Sequence, residues 1–150
     1  MSTQIDPRGP RFGAAITATL LALDVYLGLD ASTLGAAHVL LGVITVGFLW
    51  GALRGPANHP YGYLFKTLVR PRLAAPKELE DSAAPQFAQL VGLLVAGTGF
   101  VLGIFGFSAG IPLAAAAAFI AAFLNAAFDY CLGCQIYLGL KRARVIRWKV

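Results

Sequence analysis

Four long apolar blocks dominate the hydropathy pattern of the chain. They cover residues 12–29, 34–53, 87–107 and 111–138, and a helix needs about 20 apolar residues to cross a membrane. The blocks do not alternate as barrel strands do, and a membrane offers no water to unpaired backbone groups, so each block is expected to be helical. The pattern predicts an all-α integral membrane protein, a single domain with four transmembrane helices.

Residues 54–86, between the second and third blocks, form the one long polar stretch of the sequence. Within it, Tyr61, Leu64, Phe65 and Leu68 follow the i, i+3, i+4, i+7 spacing of one helical face. Pro71 is expected to end that helix. We therefore predict a short amphipathic helix that lies in the cytoplasmic membrane interface.

Composition supports the membrane assignment. The chain is 58% hydrophobic and only 13% charged, whereas soluble domains carry about 25% charged residues. High hydrophobicity also excludes a disordered chain, and two cysteines exclude a disulfide-framework mini-protein. The first block is longer than the apolar region of a secretory signal, so it is expected to be retained as a span.

The basic residues predict how the helices are oriented. All twelve lie before the first block, in the central segment or after the fourth block: Arg8, Arg11, Arg54, Lys66, Arg70, Arg72, Lys77, Lys141, Arg142, Arg144, Arg147 and Lys149. By the positive-inside rule, both termini and the central loop are cytoplasmic. The net charge of +5 is thus explained by the lipid bilayer as partner, and no nucleic acid is predicted.

Small residues within the blocks indicate close helix packing. Gly47 and Gly51 share one face of the second block, and Gly99 and Gly103 share one of the third. These faces pack helices together either within one chain or between copies in a homo-oligomer. In addition, residues 10–14 (PRFGA) and 85–89 (PQFAQ) open the first and third blocks in similar ways, which indicates an internal duplication.

Two carboxylates interrupt the apolar blocks, and such residues are candidates for function. Asp24 is expected to reach the outer interface, with a functional role as the alternative. Asp129 is expected to face the bundle interior and to pair with Arg11 or Arg54, either structurally or as part of a catalytic or relay site. Asn125 lies one turn before Asp129.

Two histidines lie at different depths of the chain. His38, near the outer end of the second block, is expected to be a hydrogen-bonded structural residue. His59, in the turn-rich loop, is expected to be solvated. Zinc requires four clustered nitrogen or sulfur ligands, so no metal site is predicted, and no cofactor is predicted either.

The clearest chemical motif is Cys131-Leu132-Gly133-Cys134, which contains the only two cysteines. On one continuous helix, Cys131 and Cys134 would share a face, and Gly133 would ease their approach. The pair is expected at the reducing cytoplasmic boundary, where a permanent disulfide is not expected. The helix C-terminus and Asp129 would disfavour a thiolate there, although the basic tail would favour one. The interpretations left open are a redox or sulfur-carrier pair, a metal-binding pair, and two inert buried side chains.

Several segments together resemble a known family. They are residues 5–12 (IDPRGPRF), 60–62 (PYG), 70–73 (RPRL), 79–81 (LED), 85–89 (PQFAQ) and 128–137 (FDYCLGCQIY). Over nearly its full length the chain resembles the domain of unknown function 4395 family of bacterial membrane proteins. That family has no established activity, but its members are often encoded beside thioredoxin-like and rhodanese-type proteins. The resemblance thus implies thiol or sulfur traffic at the bacterial inner membrane, with Cys131 and Cys134 as the residues to watch.

Three functions remain open on this basis. The first is a membrane thiol–disulfide or sulfane-sulfur relay that exchanges with a thioredoxin-like or rhodanese-type partner through the cysteine pair. The second is a small oligomeric transporter for a sulfur compound such as thiosulfate, with Asp24, His38 and Asn125 along its path. The third is a non-catalytic anchor or accessory subunit that contacts its partner through the helix at residues 61–70. Whether the protein is an enzyme is left open.

Overall fold

The computed structural model describes residues 4–55 and 58–143 of the chain. The elements of this part are β1 (Gln4–Ile5), α1 (Arg8–Gly28), α2 (Leu34–Arg54), α3 (Pro60–Leu64), β2 (Glu80–Asp81), α4 (Ala83–Ile104), α5 (Gly110–Phe128) and α6 (Leu132–Arg142). Four of these helices, α1, α2, α4 and α5, are long and apolar enough to cross a membrane. They confirm the prediction of an all-α membrane protein with four candidate spans.

The four long helices form two hairpins, α1–α2 and α4–α5, and each helix packs more extensively on a helix of the other hairpin than on its own hairpin partner. α1 packs most extensively on α5, and α2 packs most extensively on α4. The core between them is built from Leu21, Ala37, Leu41, Ile44, Ala96, Ile111, Ala115 and Ala118. Small residues are required where helices approach closely, because lipid provides no hydrophobic force to join them.

Gly99 is an example of such a close approach. A Cβ atom at this position would lie 2.9 Å from the backbone oxygen of Gly110, so no larger residue fits between α4 and α5 without movement of the backbone. The small-residue pattern of the third block is therefore used, at least at Gly99, inside the monomer.

The fourth apolar block is not one continuous helix, so the prediction of a helix over 111–138 is wrong. α5 ends at Phe128, and Asp129 adopts the left-handed conformation with φ of 55°. The backbone N–H of Tyr130 then bonds the carbonyl oxygen of Leu124 at 3.2 Å, which satisfies an orphan group of the helix end. Aspartate tolerates this conformation better than most residues, and the sequence contains no stronger helix breaker here.

The central segment is helical from Pro60 to Arg72, but it changes type along its length. After α3, residues Phe65–Val69 form a π-helical turn and Arg70–Arg72 a 3₁₀ turn. Pro71 therefore lies inside the last turn instead of ending the helix before it. Phe65 is buried, whereas Leu68 is exposed; a position of this segment at a membrane interface stays a prediction.

The two halves of the chain repeat one arrangement of elements. β1, α1, α2 and α3 correspond in order to β2, α4, α5 and α6. α3 packs on α1 as α6 packs on α4, and the two strands pair with each other in antiparallel register, Ile5 opposite Glu80. This agrees with the duplication that the sequence indicates.

Individual contacts repeat as well. Phe12 of α1 lies 5.9 Å from the ring of Phe65, and Phe87 of α4 lies 5.7 Å from the ring of Tyr137. At the start of the two halves, a carboxylate accepts a backbone N–H two residues ahead: Asp6 from Arg8 at 3.0 Å, and Asp81 from Ala83 at 2.9 Å. Corresponding residues in these first helices are thus 75 positions apart.

Candidate functional site at the cysteine pair

The cysteine pair lies at the start of α6. Cys131 is extended and precedes the helix, Cys134 lies in its first turn, and the two form a disulfide with their Cα atoms 5.1 Å apart. The backbone N–H of Cys134 donates to Sγ of Cys131 at 3.1 Å. The predicted position of both cysteines on one continuous helix is therefore wrong, because α5 stops at Phe128 and α6 begins afresh.

This placement reverses the electrostatic expectation for the pair. A helix C-terminus disfavours negative charge, whereas a helix N-terminus stabilises it. Once the disulfide is reduced, Cys131 lies where the first turn of α6 offers it a backbone N–H, and thiolates at helix N-termini are favoured. Cys131 is thus the sulfur better placed to carry the charge.

α6 is held tightly against α4. A Cβ atom at Gly133 would lie 2.5 Å from Cα of Ala88, so the two backbones touch at this point. One turn later, Tyr137 is buried and packs its ring on Phe87. Gly133 is needed here for the helix contact, in addition to its position between the cysteines.

The disulfide forms part of the wall of a cavity of about 710 Å³ between α1, α4, α5 and α6. Small apolar side chains line much of the remainder: Ala14, Ala88, Val95, Ala118, Ala121 and Ala122. Polar and charged side chains come from Thr17, Glu80, Asp81, Gln89, Asn125, Asp129, Gln135 and Lys141. We call this space the disulfide cavity.

Acidic residues surround the polar part of the disulfide cavity. Glu80 is half-buried, and burial together with the charges of Asp129 and Asp81 raises the pKa of its carboxyl group above the ordinary value. Sequence reasoning missed Glu80. The only signal for it was its place in the segment 79–81 just before the third block.

Asp129 is exposed rather than directed into the bundle, because it occupies the turn between α5 and α6. One of its two expected partners, Arg11, places Nε 3.8 Å from its carboxylate and donates from Nη2 to the carbonyl of Ala126 at 3.0 Å. Arg54, the other expected partner, is exposed at the end of α2. Arg11 therefore fastens the end of α5 to the start of α1.

Asp24 and His38 lie elsewhere in the bundle. Asp24 is completely buried, and neither carboxylate oxygen has a hydrogen-bond partner, so the expectation that it reaches the outer interface is wrong. Nε2 of His38 lies 3.0 Å from the carbonyl oxygen of Phe100, a structural hydrogen bond of the expected kind. Only Asn125, of the three residues expected along a transport path, lines the disulfide cavity.

A second cavity of about 280 Å³ lies beside α1 and α3. His59 lines it and is buried, contrary to the expectation that it is solvated. Nδ1 of His59 accepts the backbone N–H of Tyr61 at 3.1 Å, and Nε2 lies 2.8 Å from the carbonyl oxygen of Gly47. Burial lowers the pKa of this imidazole. Pro10 and Gln89 line both cavities, so the histidine cavity adjoins the disulfide cavity.

Within residues 4–55 and 58–143, no three His, Cys, Asp or Glu side chains are grouped so as to hold a metal ion. Comparisons with curated proteins and with solved structures gave no match. A family model, that of the domain of unknown function DUF4395, matches residues 5–142. That range includes the strand residue Ile5, all six helices and the cysteine pair, and the chain therefore belongs to the DUF4395 family.

Proposed function

We propose that the protein is a membrane thiol–disulfide relay that works through Cys131 and Cys134. The observation that supports this most is the position of the disulfide, in the wall of a cavity and at the N-terminus of α6. A disulfide there can be reached by a reactant, and its reduced form gains a stabilised thiolate.

The exchange balances as follows. A thiolate of the partner attacks Sγ of Cys134, a mixed disulfide forms, and Cys131 leaves as the thiolate. A second thiol of the partner then attacks the mixed disulfide and releases Cys134. Two partner thiols are oxidised to a disulfide, and the protein gains two electrons and two protons. Cys131 is the better leaving group because a stabilised thiolate leaves faster.

The same proposal places the protein in the bacterial cytoplasmic membrane with both termini and the central loop in the cytoplasm. The basic residues before α1, in the central loop and at the end of α6 support this orientation; Arg144, Arg147 and Lys149 lie outside the described residues. The helical segment after Pro60 would then lie in the interface. The partner would be a thioredoxin-like or rhodanese-type protein of the cytoplasm.

Alkylation in membrane vesicles tests both the chemistry and the orientation. Inside-out and right-side-out vesicles are treated with a membrane-impermeant maleimide, with and without reductant, and labelling is read as a mass shift. We expect labelling from the cytoplasmic face only, and only after reduction. Reduced thioredoxin should replace the chemical reductant. A reduced thioredoxin that lacks its resolving cysteine should attack the disulfide of the unmodified protein and stop at a mixed disulfide with Cys134, and the Cys131→Ser/Cys134→Ser variant should form none.

Two results would overturn the relay. If both cysteines label only after denaturation, they are inert, and an anchor or accessory subunit becomes the better assignment. If thiosulfate enters vesicles that contain the protein, and Cys131→Ser and Cys134→Ser leave uptake unchanged, transport replaces thiol exchange. Labelling from the outer face would overturn the orientation while the thiol chemistry remained.

A further inference from the structure

A relay that takes electrons from a cytoplasmic thiol must pass them on before it can act again. The residues around the disulfide offer a place for the second reactant. The disulfide cavity, at about 710 Å³, falls within the roughly 300–1,000 Å³ of small-molecule sites. Its walls include residues of all four candidate spans, α1, α2, α4 and α5.

The lining of the cavity is apolar away from the disulfide. Alanines predominate on α5, where Ala117, Ala118, Ala121 and Ala122 present their methyl groups on successive turns. Val95 and Phe48 add larger apolar surfaces. This part of the surface matches a flat hydrophobic molecule.

Polar groups lie in the same cavity as the disulfide. Asn125 and Gln89 carry amide N–H groups that can donate to carbonyl oxygens of a bound molecule. Glu80 and Asp129 are carboxyl groups that can accept or pass protons. A ligand that suits this cavity is therefore apolar over most of its surface, carries carbonyl oxygens, and takes up electrons together with protons.

We propose that the disulfide cavity binds a lipid-soluble quinone, which reoxidises the reduced Cys131–Cys134 pair. In this step the two S–H bonds break and the S–S bond forms, so the dithiol loses two electrons and two protons. The quinone gains them as two O–H bonds and leaves as the quinol. This inference rests on the proposed relay and names the electron acceptor that the relay uses.

The test uses the full chain, reduced and free of excess reductant, in lipid nanodiscs. Decylubiquinone is the probe, because its fully substituted ring leaves no open ring position for thiol addition. We expect one quinol to form per dithiol, followed by ultraviolet absorbance, at least tenfold faster than with the Cys131→Ser/Cys134→Ser variant. Mass spectrometry should show the disulfide restored in the same time.

Variants on α5 separate cavity binding from general reactivity. Ala121→Phe fills the cavity, whereas Ala127→Phe lies on the same helix at an exposed position outside the cavity lining. We expect Ala121→Phe to slow quinol formation at least tenfold and Ala127→Phe to leave it within twofold. Thiol exchange of both with reduced thioredoxin should stay within twofold of the unmodified protein, which also shows that both have folded.

Three results would overturn the quinone proposal. They are no quinol from the reduced protein, equal rates for Ala121→Phe and Ala127→Phe, and a rate independent of the cysteines. In each case thioredoxin exchange, measured on the same samples, reports separately on the relay. Failure of thioredoxin exchange with quinol formation intact would instead contradict the proposed partner and leave the quinone site standing.

Discussion

The histidine cavity and the disulfide cavity are corresponding parts of the two halves of the chain. Each lies between the first helix of its half and the short helix that follows the hairpin. The residue that caps that short helix is His59 in the first half and Cys131 in the second. The two cavities nevertheless measure about 280 Å³ and 710 Å³.

Corresponding positions of the two halves also differ in what they contact. Gly13 of α1 faces the side chain of Tyr61, whereas the equivalent Ala88 of α4 faces the backbone of Gly133. A ring thus packs against α1 in the first half, whereas in the second half a glycine lets the backbones of α4 and α6 meet. The same arrangement of elements therefore holds a smaller cavity with a hydrogen-bonded histidine and a larger cavity that contains the disulfide and Glu80.

The largest expected effect is at the close contact between α4 and α6. Gly133→Ala should lower the free energy of unfolding by about 1–3 kcal/mol, because the added methyl group meets the α4 backbone at Ala88. Gly139→Ala, where an added methyl group meets nothing within 4 Å, is the control. It should change stability by less than about 1 kcal/mol, in the stabilising direction, since alanine favours a helix. Thermal unfolding in detergent measures both, and equal midpoints would show that α6 does not dock on α4.

The second effect compares the two capping carboxylates. Asp6 is buried and bonds Arg8 at 2.8 Å, whereas Asp81 accepts a backbone N–H from Ala83 at 2.9 Å. Asp6→Asn should therefore lower the thermal midpoint by a few degrees, and Asp81→Asn should lower it less.

The lowering of the thermal midpoint in Asp6→Asn should depend on pH. The hydrogen bond from Arg8 holds the pKa of Asp6 below its ordinary value of 3.8, so the contribution of the carboxylate is present above pH 3.8. It is lost as the pH falls through the lowered pKa of the folded state. A deficit of equal size at pH 3 and pH 7 would contradict this assignment.

A smaller effect is expected at His59 of the histidine cavity, where stability should depend on pH. In the folded state burial lowers the pKa of His59 below 6.5, so the unfolded chain binds the proton first as the pH falls. Stability should then decrease from about pH 7.5 to pH 5.5. His59→Asn keeps a capping side chain but cannot titrate, so its unfolding midpoint should fall less over this range. An equal fall in the unfolding midpoint of the unmodified protein and of His59→Asn over this range would contradict the prediction.

The smallest expected effect is a gain in stability, on substitution of Glu80. Burial and neighbouring acids raise the pKa of Glu80 above 4.5, so its ionised form costs stability above that raised pKa. Glu80→Gln should therefore be more stable than the unmodified protein at pH 7.5, and the gain should disappear as the pH falls to about 4.5. Glu78→Gln, an exposed neighbour, is the control, and a gain of the same size there would assign the effect to net charge.

The four spans could be predicted from the sequence because an apolar block of the required length has one stable form in a membrane. The break after Phe128 could not. Apolar residues continue through it to Leu140, and the turn depends on one left-handed aspartate whose carboxylate lies near Arg11, more than a hundred residues earlier. Long-range contacts of this kind leave no local pattern.

The candidate site could also be predicted only in part. The C-x-x-C motif identified the residues, but their chemistry depends on which end of a helix they occupy, and the missed break inverted that end. The burial of Asp24 was also beyond the sequence, since a hydropathy pattern gives the depth of a residue but not the side of the helix that its neighbours cover. His59 was missed because a histidine that caps a helix resembles any histidine in a loop.

The crossed packing of the two hairpins has a consequence for how the chain is made. α1 packs most extensively on α5, yet 81 residues lie between Gly28, the end of the first helix, and Gly110, the start of the second. At about 5–20 residues per second, a ribosome takes several seconds to bridge that interval. Throughout it, the first hairpin waits in the bilayer without the main neighbour of α1, the helix that carries the buried Asp24.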